Sequence, residues 1–345
     1  MKKLLSLILA LIMVLSLVAC GGSSDETTTD DTATEDTTTE GALKVAMLLT
    51  GDINDAGWCQ SAYEGLVQAQ ADYGVEIAYT ENLVQVDFES SAREYAASGY
   101  DLILAVGNEF GDVCATVGAE FPDVKFACFN GNTAVEPNVA SYRYTTTETG
   151  FLAGVVAATF SESGVVGYIV GASNANIQDS LNAFDDGVAF VDPSYTALQV
   201  NIDSMTDVAL AKESAEAMID QGADVVLGNA NTAGLGVIQA ADEAGIKCLG
   251  MVSDQYEVAP NAVVTSIVQD NATMVLAIVK AVVEGTFEPT VNLFGVKDGA
   301  IYISDWHGND ANLSEEQMAK IDEAIAGITD GSLKEAGILP KTSFE

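Results

Sequence analysis

Positive charge is scarce in this chain: 345 residues carry 13 Lys and Arg against 51 Asp and Glu, a formal charge of −38. Nucleic acid and anionic lipid headgroups are recognised through many Lys and Arg contacts, so neither is a partner that this composition serves. Acidity of this degree mainly favours solubility. Histidine is scarcer still, with His307 in SDWHGND the single one. A Ser-His-Asp or Cys-His arrangement would have to be built on it alone, and its place near the C-terminus reads as surface. The five cysteines form no CxxC and no metal-type spacing, so no cofactor or metal is expected. Cys128 and Cys248 lie in apolar strand-like runs, where a small buried thiol is the expected state, and no disulfide is expected. Phosphate-binding loops are missing too. The glycine-rich GNANTAGLG (228–236) opens a helix, but it has no GK[ST], no GxGxxG and no basic residue nearby, so it suits an uncharged group or close backbone approach.

What is present begins with a leader. MKKLLSLILALIMVLSLVAC (1–20) has two lysines, an apolar run and a closing cysteine, the layout of a secretory signal. The run is short for a transmembrane span, and its LVAC ending resembles a bacterial lipobox, which makes Cys20 the lipidation site and the new N-terminus. Two or more acyl chains on one cysteine would hold the body at a membrane without spanning it. Residues 21–42 follow as a tether of Gly, Ser, Thr, Asp and Glu with almost nothing to bury, so disorder is expected there.

Beyond the tether about 300 residues remain, long for one core and suited to two lobes. LKVAMLLT (43–50), VEIAYT (75–80), YDLILAVG (100–107) and VKFACFNG (124–131) are short apolar runs separated by stretches of helical spacing. Parallel strands covered on both faces read this way. The alternation restarts after YRYTTTETG, with strands in VVGYIVG, ALQVNI, DVVLGN and KCLGMV, and the tail adds AVVTSIVQ, a helix and two strand-like pieces near 291–304. The expected fold is α/β: two doubly wound parallel-sheet lobes joined by a multi-strand hinge. The expected division gives 43–142 plus 255–289 to an N-terminal lobe and 143–254 plus 290–345 to a C-terminal lobe.

Open parallel sheets bind ligands outside the carboxyl ends of their strands. Residues 51–60, 107–110, 130–132, 171–178, 228–234 and 252–256 are therefore the candidate wall of an interlobe cleft, with Asn108, Asn130 and Asn231 among them. In GDINDAGWCQSAYEGL (51–66), Asp52, Asn54 and Asp55 precede Trp58. A calcium loop fails, since Ala56 holds the fifth position and no glutamate the twelfth. Two roles stay open for the acidic groups: capping the following helix, worth about 1 kcal/mol, or contacting a ligand. Trp58 is either core or a flat face for a heteroaromatic ligand. Asp254, closing the apolar strand of MVSDQY, either caps the crossover or faces the cleft.

LKVAMLLTGDINDAGWCQSAYEGL, FPDVKFACFNG, GFLAGVVAATFSESGVVGYIVG, GADVVLGNANTAGLGVIQAADEAG, GMVSDQY and AVVTSIVQDN follow one another, from about Lys44 to Gly299, in an order that resembles the basic membrane protein family. These are substrate-binding lipoproteins of ABC importers, including purine nucleoside receptors. The resemblance implies the type I periplasmic-binding-protein fold. It places a polar contact on Asp55, the stacking aromatic on Trp58, and the rest of that motif on Cys59 and Gln60. It further implies a ribose contact at Asp254 and a second ring face from Phe184. Three positions depart from the family's pattern: Asn130 stands for an aspartate, Cys59 for an asparagine and Gln269 for a lysine. Asn adds a donor where Asp only accepts, and Gln removes a charge, so a different purine, a free base or another small polar aromatic ligand fits.

The expectation is thus a non-enzymatic, extracellular, lipid-anchored, monomeric solute-binding protein that hands a nucleoside-like ligand to an ABC permease. A nucleoside hydrolase on the same scaffold and a ligand-presenting sensor for a membrane kinase are the alternatives.

Overall fold

A computed structural model describes residues 41–55 and 57–343; the leader, Cys20 and the tether as far as residue 40 lie outside them. The chain begins a parallel sheet with β1 (Lys44–Leu49), α1 (Trp58–Tyr73), β2 (Glu76–Thr80), α2 (Phe88–Ala97), β3 (Leu102–Val106), α3 (Gly111–Glu120), β4 (Lys125–Phe129) and β5 (Val139–Tyr144). Alternate side chains leave a strand on opposite faces, and here both faces are covered. Ala46 and Leu48 of β1 pack towards α2 and α3, while Val45, Met47 and Leu49 pack with Leu66 of α1. α1 stops at Gly74, whose left-handed φ of 67° suits a residue without Cβ.

α4 (Thr146–Phe160) carries the chain into a second sheet built the same way: β6 (Val165–Val170), α5 (Ala175–Val191), β7 (Thr196–Asn201), α6 (Val208–Asp220), β8 (Val225–Asn229), α7 (Gly234–Ala244), β9 (Lys247–Val252) and β10 (Val263–Gln269). Of the fifteen α4 residues only Glu148 is not buried, as expected of a helix that is apolar all round. It packs on α5 through glycines. A Cβ added at Gly150 would lie 1.9 Å from the Ser180 carbonyl oxygen, and one at Gly154 would lie 2.3 Å from that of Phe184.

The chain then returns to the first sheet with α8 (Asn271–Val283) and β11 (Val291–Phe294), and crosses a third time to β12 (Ile301–Ile303), α9 (Glu315–Thr329) and α10 (Ser332–Glu335). The strand orders are β2-β1-β3-β4-β5-β11 and β7-β6-β8-β9-β10-β12. The three crossings are tied side by side. Thr145 N–H donates to Phe294 O at 2.9 Å, Asp270 N–H to Ala300 O at 2.8 Å, and Val296 N–H to Glu148 Oε2 at 2.8 Å.

The two-sheet architecture agrees with the expectation, but its division does not. Residues 255–289 are split, because β10 pairs in parallel with β9 in the second sheet while α8 packs against α1. Residues 290–345 are split too, because β11 pairs with β5. Nothing in an apolar strand's own residues says which sheet it joins; pairing partners decide that. β5 is also a strand, one that is not among the apolar runs picked out in the sequence. All six of its residues are buried, Arg143 among them, and a charged residue is an unusual occupant of such a strand.

Candidate functional site

The carboxyl ends of both sheets face one cleft with two adjoining chambers, of about 350 and 540 Å³. Trp58, Asn229, Asn231 and Val252 line both. The smaller chamber adds Asn108, Glu109 and Asn130 from the first lobe and Asn174, Asn176 and Ser180 from the second. The larger adds Asp52, Asp55 and Cys59 from the first lobe, and Leu235, Met251 and Asp254 from the second. Among the lining residues there is no lysine or arginine, and the charges are the carboxylates of Glu109, Asp52, Asp55 and Asp254.

The indole of Trp58 is held by the hinge. Its ring meets Tyr144 edge-on, centroids 6.0 Å apart at 69°. Tyr144 donates its hydroxyl hydrogen to Asn271 Oδ1 at 2.8 Å, and Asn271 Nδ2 donates to the Trp58 carbonyl at 2.8 Å. Tyr144 ends β5 and Asn271 begins α8, so two of the three crossings fix the first residue of α1.

Asp55 is committed to that helix. Its carboxylate accepts from the backbone N–H of Gly57 at 2.9 Å, Cys59 at 3.0 Å and Gln60 at 3.0 Å. Capping therefore takes most of its acceptor capacity, although the side chain still borders the larger chamber. Asp52 likewise accepts from Asn54 N–H at 2.8 Å, a local turn bond. Burial, and then the charge of Asp55, push the Cys59 thiol up to about 12, which disfavours the thiolate, and the side chain is buried among residues of α1 and β1. Cys114, Cys128 and Cys248 are also buried free thiols.

Three lining residues at strand ends have left-handed backbones: Asn130 (φ 51°), Asn231 (φ 46°) and Val252 (φ 74°). Asparagine tolerates this region, whereas for β-branched Val252 it is strained. The Val252 turn is held from behind, with Met251 N–H on Gln255 Oε1 at 3.0 Å and Gln255 N–H on Ser266 Oγ at 3.0 Å. Asn130 Oδ1 accepts from Tyr144 N–H at 3.2 Å. Gln269, buried at the end of β10, borders the smaller chamber and donates to Thr149 Oγ1 at 3.0 Å. Behind this wall Arg143 hydrogen-bonds Asn132 and Asn176, and burial lowers its guanidinium to about 10.

Eight of the ten expected contacts thus border the cleft: Asp55, Trp58, Cys59, Asn108, Asn130, Asn231, Asp254 and Gln269. Two do not. Phe184 is wholly buried in the second lobe with its ring 5.0 Å from that of Tyr168, because only the first turns of α5 reach the cleft. Gln60 lines neither chamber and donates to Glu64 Oε1 at 2.9 Å. Sequence reasoning missed Met205, on the loop after β7, although that loop too follows a strand's carboxyl end. Glu109 falls in the 107–110 turn that the sequence marks as cleft wall, and it sits beside Gly107. A Cβ at Gly107, where φ is 155°, would lie 2.5 Å from the Glu109 carboxylate.

Two doubly wound lobes, three crossings and a polar cleft between strand ends define a periplasmic-binding-protein-like solute receptor. The chain belongs to the Bmp family, the PnrA-like ABC transporter substrate-binding proteins, which matches residues 42–332. It is therefore a substrate-binding protein of an ABC transport system, a class that works outside the cytoplasm. It is similar to a purine-binding protein of Brucella abortus (strain 2308), 29% identical and covering 85% of this chain and 83% of that one. It is also similar to basic membrane protein A2 of Borrelia garinii subsp. bavariensis, 26% identical and covering 67% and 69%. Among solved structures, an ABC solute-binding protein from Aeropyrum pernix K1 superposes with a TM-score of 0.76 at 22% identity, over 84% of this chain and 92% of that one. A transcriptional activator of the comK gene from Bacillus halodurans gives 0.75 at 24%, over 84% and 98%.

Proposed function

We propose that this protein binds a purine nucleoside, or a related small heteroaromatic compound, between its lobes and delivers it to an ABC permease. The observation that carries this is the Trp58 indole, half-buried on a wall that both chambers share and opposite amide side chains of Asn229 and Asn231. An indole offers a stacking face, and amides offer paired donors and acceptors to ring edges and hydroxyls. A relative named for purine binding supports the same ligand class. The absence of Lys and Arg from the lining favours uncharged or cationic ligands over phosphorylated ones. Binding closes the lobes because the ligand contacts both walls only when they approach. No nucleophile or metal set is assigned, and the protein is proposed to act without chemistry, as a monomer on the outer face of the cytoplasmic membrane, anchored through lipid on Cys20.

A thermal-shift panel of nucleosides, free bases, nucleoside monophosphates, sugars and amino acids tests this, since a ligand that binds only the folded form raises its melting temperature. Stabilisation by a nucleoside and not by its monophosphate is expected. Stabilisation by sugars or amino acids alone would overturn the ligand class. With adenosine and adenine as probes, Asp254→Ala should weaken the nucleoside more than the base; equal losses would remove Asp254 from the ribose. Release of free base on incubation would sink the transport role.

A further inference from the structure

His307, which the sequence reads as surface, is bound to the cleft. It lies after β12 with φ 50°, and its Nε2 is 2.9 Å from Oδ2 of Asp254. Its ring lies flat on that of Tyr256, centroids 3.8 Å apart and planes 8° from parallel. That stack fixes the plane in which Nε2 points. The other oxygen of Asp254 accepts from Tyr256 N–H at 3.2 Å and Ser266 Oγ at 3.3 Å. An ionised carboxylate has about four lone-pair sites, so three bonds from its own protein hold Asp254 in one orientation and leave acceptor capacity towards the larger chamber.

We propose that His307 is a positioning residue for the cleft, and that through Asp254 it couples ligand binding to protonation of its own ring. This rests on Asp254 as a ligand contact. The charged and titratable groups around the pair are Asp254 on the loop after β9, Tyr256 beside it, Asp305 on the loop of His307 (Oδ1 3.9 Å from Nδ1), and Tyr302 on β12, whose hydroxyl is pushed up by burial and by the charges of Asp270 and Asp254. Among the described residues, the ion pair of Asp254 is with His307. A cationic ring gives Asp254 a charge-assisted donor. A neutral ring gives an ordinary donor in one tautomer and, in the other, a lone pair facing the carboxylate, which then releases Asp254. Imidazole protonation ordinarily changes between about pH 5 and 8. Ligand affinity should therefore be highest at the acid end of that window and fall as pH rises through it.

Because the chain has one histidine, tag-free protein gives a single set of imidazole proton signals in NMR. Those signals are expected to differ between the wild type and Asp254→Asn, because the ring loses the carboxylate it contacts at 2.9 Å; identical signals throughout pH 5.5 to 8 would overturn the coupling whether or not a ligand is known. Calorimetry with adenosine from pH 5.5 to 8 should then show affinity falling about five-fold or more in the wild type. In His307→Gln, which keeps a donor but does not titrate, the affinity should be flat. An equal slope in both proteins, or a flat wild type, overturns the positioning role. Failure of adenosine to bind defeats the nucleoside proposal instead, and the NMR comparison alone then decides the coupling.

Discussion

The two lobes share one strand plan and offer the cleft different chemistry. β1 to β5 and β6 to β10 occur in the same relative order, and in both sheets the step to the fifth strand, β4 to β5 and β9 to β10, lacks an α-helix. The sixth strands differ: β11 is parallel to its neighbour and β12 antiparallel. Direction follows from route, since β11 runs towards the cleft and β12 continues away from it. The first lobe brings an indole, the carboxylates of Asp52, Asp55 and Glu109 and two amides, Asn108 and Asn130, while the second brings Asn174, Asn176, Asn229, Asn231 and one carboxylate, Asp254. A shared scaffold therefore leaves the strand-end residues free to specialise.

Helices meet through glycine in both lobes, more tightly in the second: a Cβ at Gly65 of α1 would lie 2.6 Å from the Ala272 Cα of α8, against 1.9 Å at Gly150, which makes Gly150 the hardest test. Its missing Cβ would meet the α5 backbone, so Gly150→Ala should destabilise the protein by about 3 kcal/mol through overpacking, read by denaturant unfolding. Little change in the midpoint would mean that α4 and α5 slide apart freely.

The matching aspartates before the third strand of each lobe come next. Asp224 accepts from Ser161 Oγ at 2.6 Å and from the N–H groups of Glu162 and Ser163 at 2.7 Å each. Asp101 accepts from Lys44 N–H at 2.8 Å. Asp224→Asn should cost about 2 kcal/mol and Asp101→Asn about 1. Burial opposes the Asp224 charge, but its hydrogen bonds outweigh that and lower its folded-state pKa. The stabilisation is therefore present above the ordinary aspartate range, near pH 4, and lost as pH falls through the lowered value. The stability gap between wild type and Asp224→Asn should close on acidification; a gap independent of pH would assign the effect to packing.

The smallest contrast lies within one turn. Trp58→Ala should weaken adenosine binding by more than about 1 kcal/mol through lost stacking and burial. Asp55→Ala should cost about 1 kcal/mol of stability, as a lost cap does, with a smaller effect on affinity. Calorimetry and thermal unfolding of both variants check this. The reverse pattern would exchange the roles of indole and carboxylate.

Periodicity made the strands and most helices legible, because a strand covered on both faces must be apolar throughout. The turns that line the cleft were legible for a second reason, the rule that ligands sit at the carboxyl ends of parallel strands. β5 escaped because Arg143 interrupts its run; its guanidinium is accommodated by amides from Asn132 and Asn176, 11 and 33 residues away. Phe184 was placed at the site by resemblance to a family pattern, which does not show how far its helix has receded from the cleft. His307 and Asp254 are 53 residues apart, and no local pattern announces such a pair.

The second crossing, which returns the chain to the first sheet, also sets an order of assembly. A ribosome makes β5 well before β11, with the whole second sheet up to β10 between them. Until residues 291–294 exist, the outer edge of β5 has no neighbour, and until α8 exists the face of α1 that it covers is bare. An exposed strand edge invites pairing with other chains. The receptor's first half is thus sealed late, by a segment made after most of the second sheet, and β12, α9 and α10 then complete the second half.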